Sequence, residues 1–328
     1  MKHAAYSTNN RSAGGFARPE ALSIASLTSA ERWVRTKDAL VARLVLACGV
    51  TAIVALLFIF VFLVKDAVCV FRTVSPLRFL TGSNWQPEFE KFGIVPLLAG
   101  SFFVTLGALV IAVPLGITCA IYIAEVAPER LREALKVAVE VLAGIPSVVV
   151  GFIGLTIAAP FIQRVFDLPT GLTALTGSIM LAFMSLPTIV SISEDAIVAV
   201  PRSYRDGALA LGATQWETIR RVVVPAAKSG IIAACMLGVG RAVGETMTVL
   251  IVTGNAAVVP HGLAGIVPFF LGPVRTMTAT IAADMGETVQ YSAHYHALFA
   301  VGLTLFAITF VINVVADVAL RRERGHTT

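Results

Sequence analysis

The sequence predicts an all-α polytopic membrane protein with six transmembrane helices. Hydrophobic residues fill 57% of the 328 positions and charged residues 14%, with a mean hydropathy of +0.84. A soluble chain would be about half apolar and about a quarter charged. Apolar runs recur at the length that crosses a bilayer. Lys and Arg gather in alternate connecting segments, as they do in multi-pass proteins.

Taken in order, residues 1–39 are polar and rich in Ser, Ala and Arg, the composition of a disordered tail. Residues 40–324 then read as one transmembrane domain. The run Leu44–Val64 has 21 residues, long enough to span and longer than the apolar core of a cleavable signal peptide. Lys65–Gly93 reads as a loop with mixed charge, two prolines and Trp85. Ile94–Ala124 is uncharged for 31 residues and contains Pro96 and Pro114. Two spans would need about 40 residues, so one tilted or kinked helix of roughly 25 is expected. Glu125–Glu140 alternates acids and bases at a spacing that suits a short interfacial helix, and Val141–Ile162 is the third span, interrupted by Gly144 and Pro146. After a turn at Gln163–Thr170, the fourth span lies within Gly171–Ser193, with Pro187 near its end. A polar stretch, 194–228, precedes the fifth span at about Gly230–Gly254.

Asn255–Val274 is apolar over 20 residues but holds three glycines and three prolines. Bare irregular backbone is not tolerated in lipid, so an extracytoplasmic or re-entrant hairpin packed on protein is expected. Thr276–Glu287 reads as a surface helix, and His296–Ala316 as the sixth span. Eighteen of the 25 Lys and Arg fall in the tail, the second connection, the 194–228 loop and the C-terminus; six fall in the alternate connections. That asymmetry places both termini and the 194–228 loop in the cytoplasm. It also accounts for the pI near 9.2 without nucleic acid. Cys48, Cys69, Cys119 and Cys235 lie in or beside apolar runs without paired spacing, and read as small hydrophobes, neither a disulfide framework nor a zinc site.

The segment Ser203–Glu245 organises the rest. Ser203 with Asp206, and Thr214 with Glu217, have capping-box spacing. They predict two short helices meeting near Gly212, where a sharp turn favours glycine. Pro225 is expected in the first turn of the next element. The apolar run beyond it carries Arg241 and Glu245. Gly238, Gly240 and Gly244 on this segment read as close helix packing through small residues.

This loop resembles the signature of ABC-importer permeases: E-A-A, three residues, G, nine residues, I-x-L-P. Asp206, Gly207, Ala208, Gly212, Val222, Val224 and Pro225 fill its positions with matching spacing, although Asp-Gly-Ala replaces Glu-Ala-Ala. The glycine weakens the first short helix by about 1 kcal/mol relative to Ala. Gly240–Met247 and Glu140–Gly151 are similar to helices of the permeases of bacterial phosphate importers. The resemblance runs from about residue 40 to the C-terminus. It implies a type I importer permease core in the bacterial plasma membrane and transport of phosphate. It also implies a second permease of similar fold, two copies of a cytoplasmic ATPase and an extracytoplasmic phosphate-binding protein. Loops 65–93 and 255–292 would dock that binding protein. The residues themselves leave phosphate, sulfate and molybdate open, and leave open a sensor or scaffold that is not a conduit. There is no G-x-x-x-x-G-K-[ST] to cradle nucleotide phosphates. ATP hydrolysis is therefore expected on a partner, with Asp206, Gly207, Ala208, Gly212 and Pro225 in the coupling loop, and no cofactor of the chain's own.

A charge at the centre of a membrane helix costs about 2.5–3.5 kcal/mol, so Arg241 and Glu245 need a reason. Four residues apart on one helix, they would share a face and reach each other. One reading makes Arg241 an anion ligand or gate, its fork matching a tetrahedral oxyanion, with Glu245 holding it when the site is empty and Thr246 and Thr248 supplying hydroxyls. The other makes them a structural ion pair. Ser147, after Pro146, either offers a hydroxyl and free amides to an anion at a broken helix or marks a kink that shapes the bundle. His294 and His296 read as anchors at the membrane interface.

Overall fold

Apolar runs this long can satisfy their backbone only as helices, and the computed structural model is built from them. It describes residues 29–324 other than 261, 263 and 264. The tail expected at 1–39 falls outside the described residues up to 28, whereas residues 29–39 already belong to α1 (Ser29–Val70). The chain divides into two units, Met1–Phe60 and Val61–Thr328. The first contains most of α1, whose segment Leu40–Val70 is apolar enough to span; everything below concerns the second.

The segment expected as a loop at 65–93 is ordered. The end of α1 is followed by α2 (Pro76–Thr81) and by an antiparallel pair, β1 (Trp85–Gln86) and β2 (Lys91–Phe92). Glu90 turns between the strands with φ 53°. The reason is visible in composition: Phe79, Trp85, Phe92 and Ile94 are buried together with Leu298 and Val301, so the segment is held in an apolar core that it shares with the last helix of the chain.

The uncharged run forms one helix, α3 (Val95–Ile121, 27 residues), as expected, with Pro114 inside it. A π turn, Tyr122–Val126, ends it. The amphipathic α4 (Glu129–Ala143) follows and absorbs Val141, so the third span starts later than expected. Gly144 and Pro146 part α4 from α5 (Ser147–Ile153), which continues through a π turn into α6 (Ala159–Val165). The central helix is α7 (Ala174–Val198), and Pro187 lies mid-helix instead of near the end. Helices α8 (Arg202–Ala210) and α9 (Gln215–Thr218) form the signature loop; α9 runs on through a π turn, Ile219–Val223, into α10 (Val224–Ala226).

The chain then bends by 68° into α11 (Lys228–Gly244). The fifth span is not continuous to Gly254: it stops at Gly244, leaves helical geometry at Glu245 and restarts as α12 (Met247–Val252). The Pro- and Gly-rich stretch that follows contains α13 (Ile266–Leu271) and returns to its origin, since Gly254 and Val274 form a parallel bridge and Val274 N–H donates to Thr253 O (2.8 Å). It is packed on protein, with Ala174 N–H donating to Gly272 O (3.0 Å). The expected surface helix is α14 (Met277–Asp284), but Met277, Thr278, Ala279 and Thr280 are buried, so it is an internal element. α15 (Ala293–Arg324) closes the chain.

Among the described residues five helices are long and apolar enough to cross a membrane. The expected sixth span, His296–Ala316, lies in α15 and is one of these five; a sixth is reached if the bent pair Gln215–Ala226 and Lys228–Gly244, whose second helix stands in the expected fifth span, counts as one. α7 packs against α3 and α11, with Ile189 between Gly116 of α3 and Gly238 of α11. A Cβ at either glycine would come within 2.7 Å of the Ile189 side chain, so the helices approach as closely as they do because those positions have none. Gly238 thus packs as expected, whereas Gly240 and Gly244 have nothing within 4 Å of a Cβ and do not.

Candidate functional site

The break between α11 and α12 places the two charged residues of the fifth span. Gly244 is the last helical residue of α11, and Glu245 adopts an extended backbone (φ −69°, ψ 130°). The expectation that Arg241 and Glu245 share a helix face and hold each other is therefore wrong: an i, i+4 neighbourhood exists only while the helix is continuous. The Glu245 carboxylate instead accepts from the N–H groups of Thr246 and Thr248 (both 3.2 Å), capping the first turn of α12. Arg241 sits in the last turn of α11. Each charge faces the helix end whose dipole it complements, base at a C-terminus and acid at an N-terminus.

Arg241 is partly buried, and its one side-chain partner among the described residues is Thr188 Oγ1 on α7, at 3.4 Å. Most of its five N–H donors are thus uncommitted. Thr188 escaped the sequence reading because a threonine in an apolar run carries no local signal. The other expected residues gather at the same break. Thr248 Oγ1 donates to Ser147 O (3.0 Å), so Ser147 is brought to α12 through its carbonyl. The Thr246 hydroxyl donates back to Gly244 O (3.3 Å). From below, Thr278 Oγ1 of α14 donates to Glu245 O (2.9 Å), a contact that follows from α14 being buried.

The signature loop is built largely as its residues predict. Gly212 takes φ +84° between the two short helices, a conformation L side chains avoid. Thr214 and Glu217 form a complete capping box. The Thr214 backbone and side-chain bonds hold the Glu217 carboxyl below the ordinary glutamate range. Ser203 and Asp206 do not: α8 begins after Pro201 with no side-chain cap, because the helix starts earlier than that spacing assumed. Pro225 lies in the first turn of the next element, the short α10, as expected, but α10 continues the helical run Gln215–Ala226 and the bend into α11 falls at Ala227. Gly207 has open space beside it, and Leu211 (91% exposed) and Trp216 (63%) project outward, so the loop presents an unfilled apolar face.

Three charged contacts behind this loop were not foreseen. Arg205 of α8 forks onto the Glu125 carboxylate through Nη2 (2.6 Å) and Nε (3.1 Å), and also donates to Ile197 O (2.9 Å) and Val200 O (2.6 Å). Lys136 of α4 reaches Glu194 near the end of α7 (2.9 Å), and this bond raises its ammonium above the ordinary lysine value. Arg132 donates to the carbonyls of Ile123 and Ala124 in the π turn (2.8 and 2.6 Å). At the opposite end of the bundle, His294 stacks on Phe92 and lies 3.3 Å from Asp284, which also pairs with Arg275. Burial pushes the Asp284 carboxyl up, but His294 and Arg275 together hold it below the usual range. His296 Nδ1 lies 3.8 Å from Asp66. Each of the two histidines expected as interface anchors thus lies beside a carboxylate.

Residues 112–325 match the family described as the inner membrane component of binding-protein-dependent transport systems. The chain is 41% identical over 310 residues to the "Probable ABC transporter permease protein YqgH" of Bacillus subtilis, covering 93% of this chain and 98% of that protein. It is 39% identical to the phosphate transport system permease protein PstC of Mesorhizobium japonicum over 76% of this chain and 80% of that one. Among solved structures, a bacterial alginate ABC transporter shares its fold, with a TM-score of 0.59 at 16% identity over 87% of this chain and 96% of that one. The chain therefore belongs to the inner membrane components of binding-protein-dependent transport systems, as a multi-pass permease subunit.

Proposed function

We propose that this chain is the permease subunit of an ATP-driven importer of inorganic phosphate, moving the anion inward by alternating access. The observation that carries the substrate is the 39% identity to a phosphate transport permease over 76% of the chain. Its partners are a second permease of similar fold, two copies of a cytoplasmic ATPase that dock on α8 and α9, and an extracytoplasmic phosphate-binding protein. Both termini are cytoplasmic, in keeping with the distribution of Lys and Arg.

The geometry at the break supports a role for Arg241 in the path. A permanently charged fork, free of Glu245 and held by one threonine, has donors left for a tetrahedral anion. Thr246, Thr248 and Ser147 line the same break. Glu245 acts on the backbone: its charge keeps α12 starting where it does, and so keeps the break open beside Arg241. Asp206, Gly207, Ala208, Gly212 and Pro225 shape the loop that receives the ATPase stroke, which would rock α7 and α11 as rigid bodies.

Uptake of radiolabelled phosphate in cells lacking other phosphate importers tests this. Arg241→Gln should abolish uptake with normal assembly, sulfate and molybdate should not compete, and Glu245→Gln should retain partial activity because an amide still caps. Normal uptake by Arg241→Gln removes Arg241 from the path; competition by sulfate overturns the substrate.

A further inference from the structure

α8 buries none of its residues, so it has no apolar anchor in the bundle. What fastens it is Arg205, whose side chain is only 20% exposed against 11% for Glu125. The arginine joins three elements. Its fork takes the Glu125 carboxylate, in the π turn that ends α3. Its other N–H groups take the carbonyls of Ile197, in the last turn of α7, and of Val200, two residues past its end; Ile197 O also accepts from Val200 N–H (3.2 Å). Glu125 is also touched from the second helix of the loop, where Gln215 Nε2 donates to its carbonyl (3.4 Å). The π turn that carries Glu125 is stiffened from behind by Arg132 on two of its carbonyls.

We propose that Arg205 is the positioning residue through which displacement of the signature loop moves α3 and α7 together. This rests on the coupling role given to the loop above. α11 and α7 flank the loop covalently, through Ala227 and through residues 199–201; the clamp adds α3, some 80 residues away in sequence, and ties the end of α7 to it. A push on α8 that was not transmitted to α3 and α7 would bend the loop and leave the pathway closed. The guanidinium offers five directed donors, four of them used here, and a lysine point charge cannot reproduce them.

The test is the ratio of ATP hydrolysed to phosphate imported, measured with the whole complex in proteoliposomes supplied with the binding protein and inorganic phosphate. For Arg205→Lys and Arg205→Gln the ratio should rise at least fivefold over wild type. Glu125→Gln, which keeps shape and acceptor but loses charge, should raise it by a smaller factor. The exchanged pair Arg205→Glu with Glu125→Arg should not restore it, since the Arg205 bonds to the carbonyls of Ile197 and Val200 would then be lost. A ratio unchanged in Arg205→Gln, whether both rates hold or fall together, overturns the proposal. So does failure of both Arg205→Gln and Glu125→Gln to assemble with the ATPase, which would make the clamp a folding requirement. If the wild-type complex imports no phosphate, it is the function proposed above that fails, and the outcomes are therefore distinct.

Discussion

Replacing Gly212 separates the shape of the signature loop from its contacts. A Cβ at this position would meet nothing within 4 Å, so any cost comes from the backbone alone. Its φ of +84° lies in the left-handed region, which costs an L residue about 1–2 kcal/mol. Asn tolerates that region better than Ala does. Proline is a different case: its ring fixes φ near −65°, of opposite sign. It would also remove the N–H that Gly212 donates to Leu209 O (2.9 Å). Gly212→Asn should therefore transport nearly as wild type. Gly212→Ala should lose about fivefold to thirtyfold of the correctly shaped loop, and Gly212→Pro, at about 3 kcal/mol or more, should abolish uptake. The assay is phosphate uptake per assembled complex, with membrane insertion followed by protease protection. An order other than Asn above Ala above Pro, at equal insertion, would refute a role resting on the turn.

The remaining predictions use packing and titration. Gly100→Ala should destabilise the complex in detergent by about 1–3 kcal/mol, because its Cβ would stand 2.1 Å from the Arg275 carbonyl oxygen. Gly240→Ala, with open space around it, should be neutral or stabilising by up to about 1 kcal/mol; thermal unfolding of the two variants checks both. The Asp284 carboxyl is depressed, so its contribution is fully present above the ordinary aspartate value of 3.8 and is lost as pH falls through the lower folded value. Unfolding temperature should thus drop more steeply below pH 4 in wild type than in Asp284→Asn. Equal slopes would remove this cluster from the stability of the fold.

The regular parts of this molecule were legible because their signals are local. Leu44–Val64 and Ile94–Ala124 announce helices by length and apolarity, and Thr214 with Glu217 announces a helix start by spacing. The glycine between two short helices was readable for the same reason. What failed depended on neighbours distant in sequence. The apolar run resumes beyond Gly244 and Glu245, so nothing local reveals that the chain leaves the helix there and that the carboxylate turns to two amides. Ser203 and Asp206 met the spacing of a cap, but Pro201 set the start of α8 earlier. Arg205 stood inside the recognised motif without being singled out, because its partners Glu125, Ile197 and Val200 come from two other helices. Thr276–Glu287 reads as a surface helix, yet the hydroxyls of Thr276, Thr278 and Thr280 are spent inside the bundle.

The 68° bend at Ala227 has a mechanical meaning. Ala227 is buried, its N–H donates to Val223 O (2.9 Å), and its carbonyl accepts from Ile231 N–H (3.0 Å). The corner is therefore a stiff elbow, and the two arms turn as a bell-crank. The arm Lys228–Gly244 has 17 residues, about 25 Å at 1.5 Å each. Tilting the short arm by about 10° sweeps the far tip, beside Glu245, sideways by roughly 4 Å over that length. A small rotation of the signature loop would be geared up to something near the width of an anion, without any helix having to stretch or unwind.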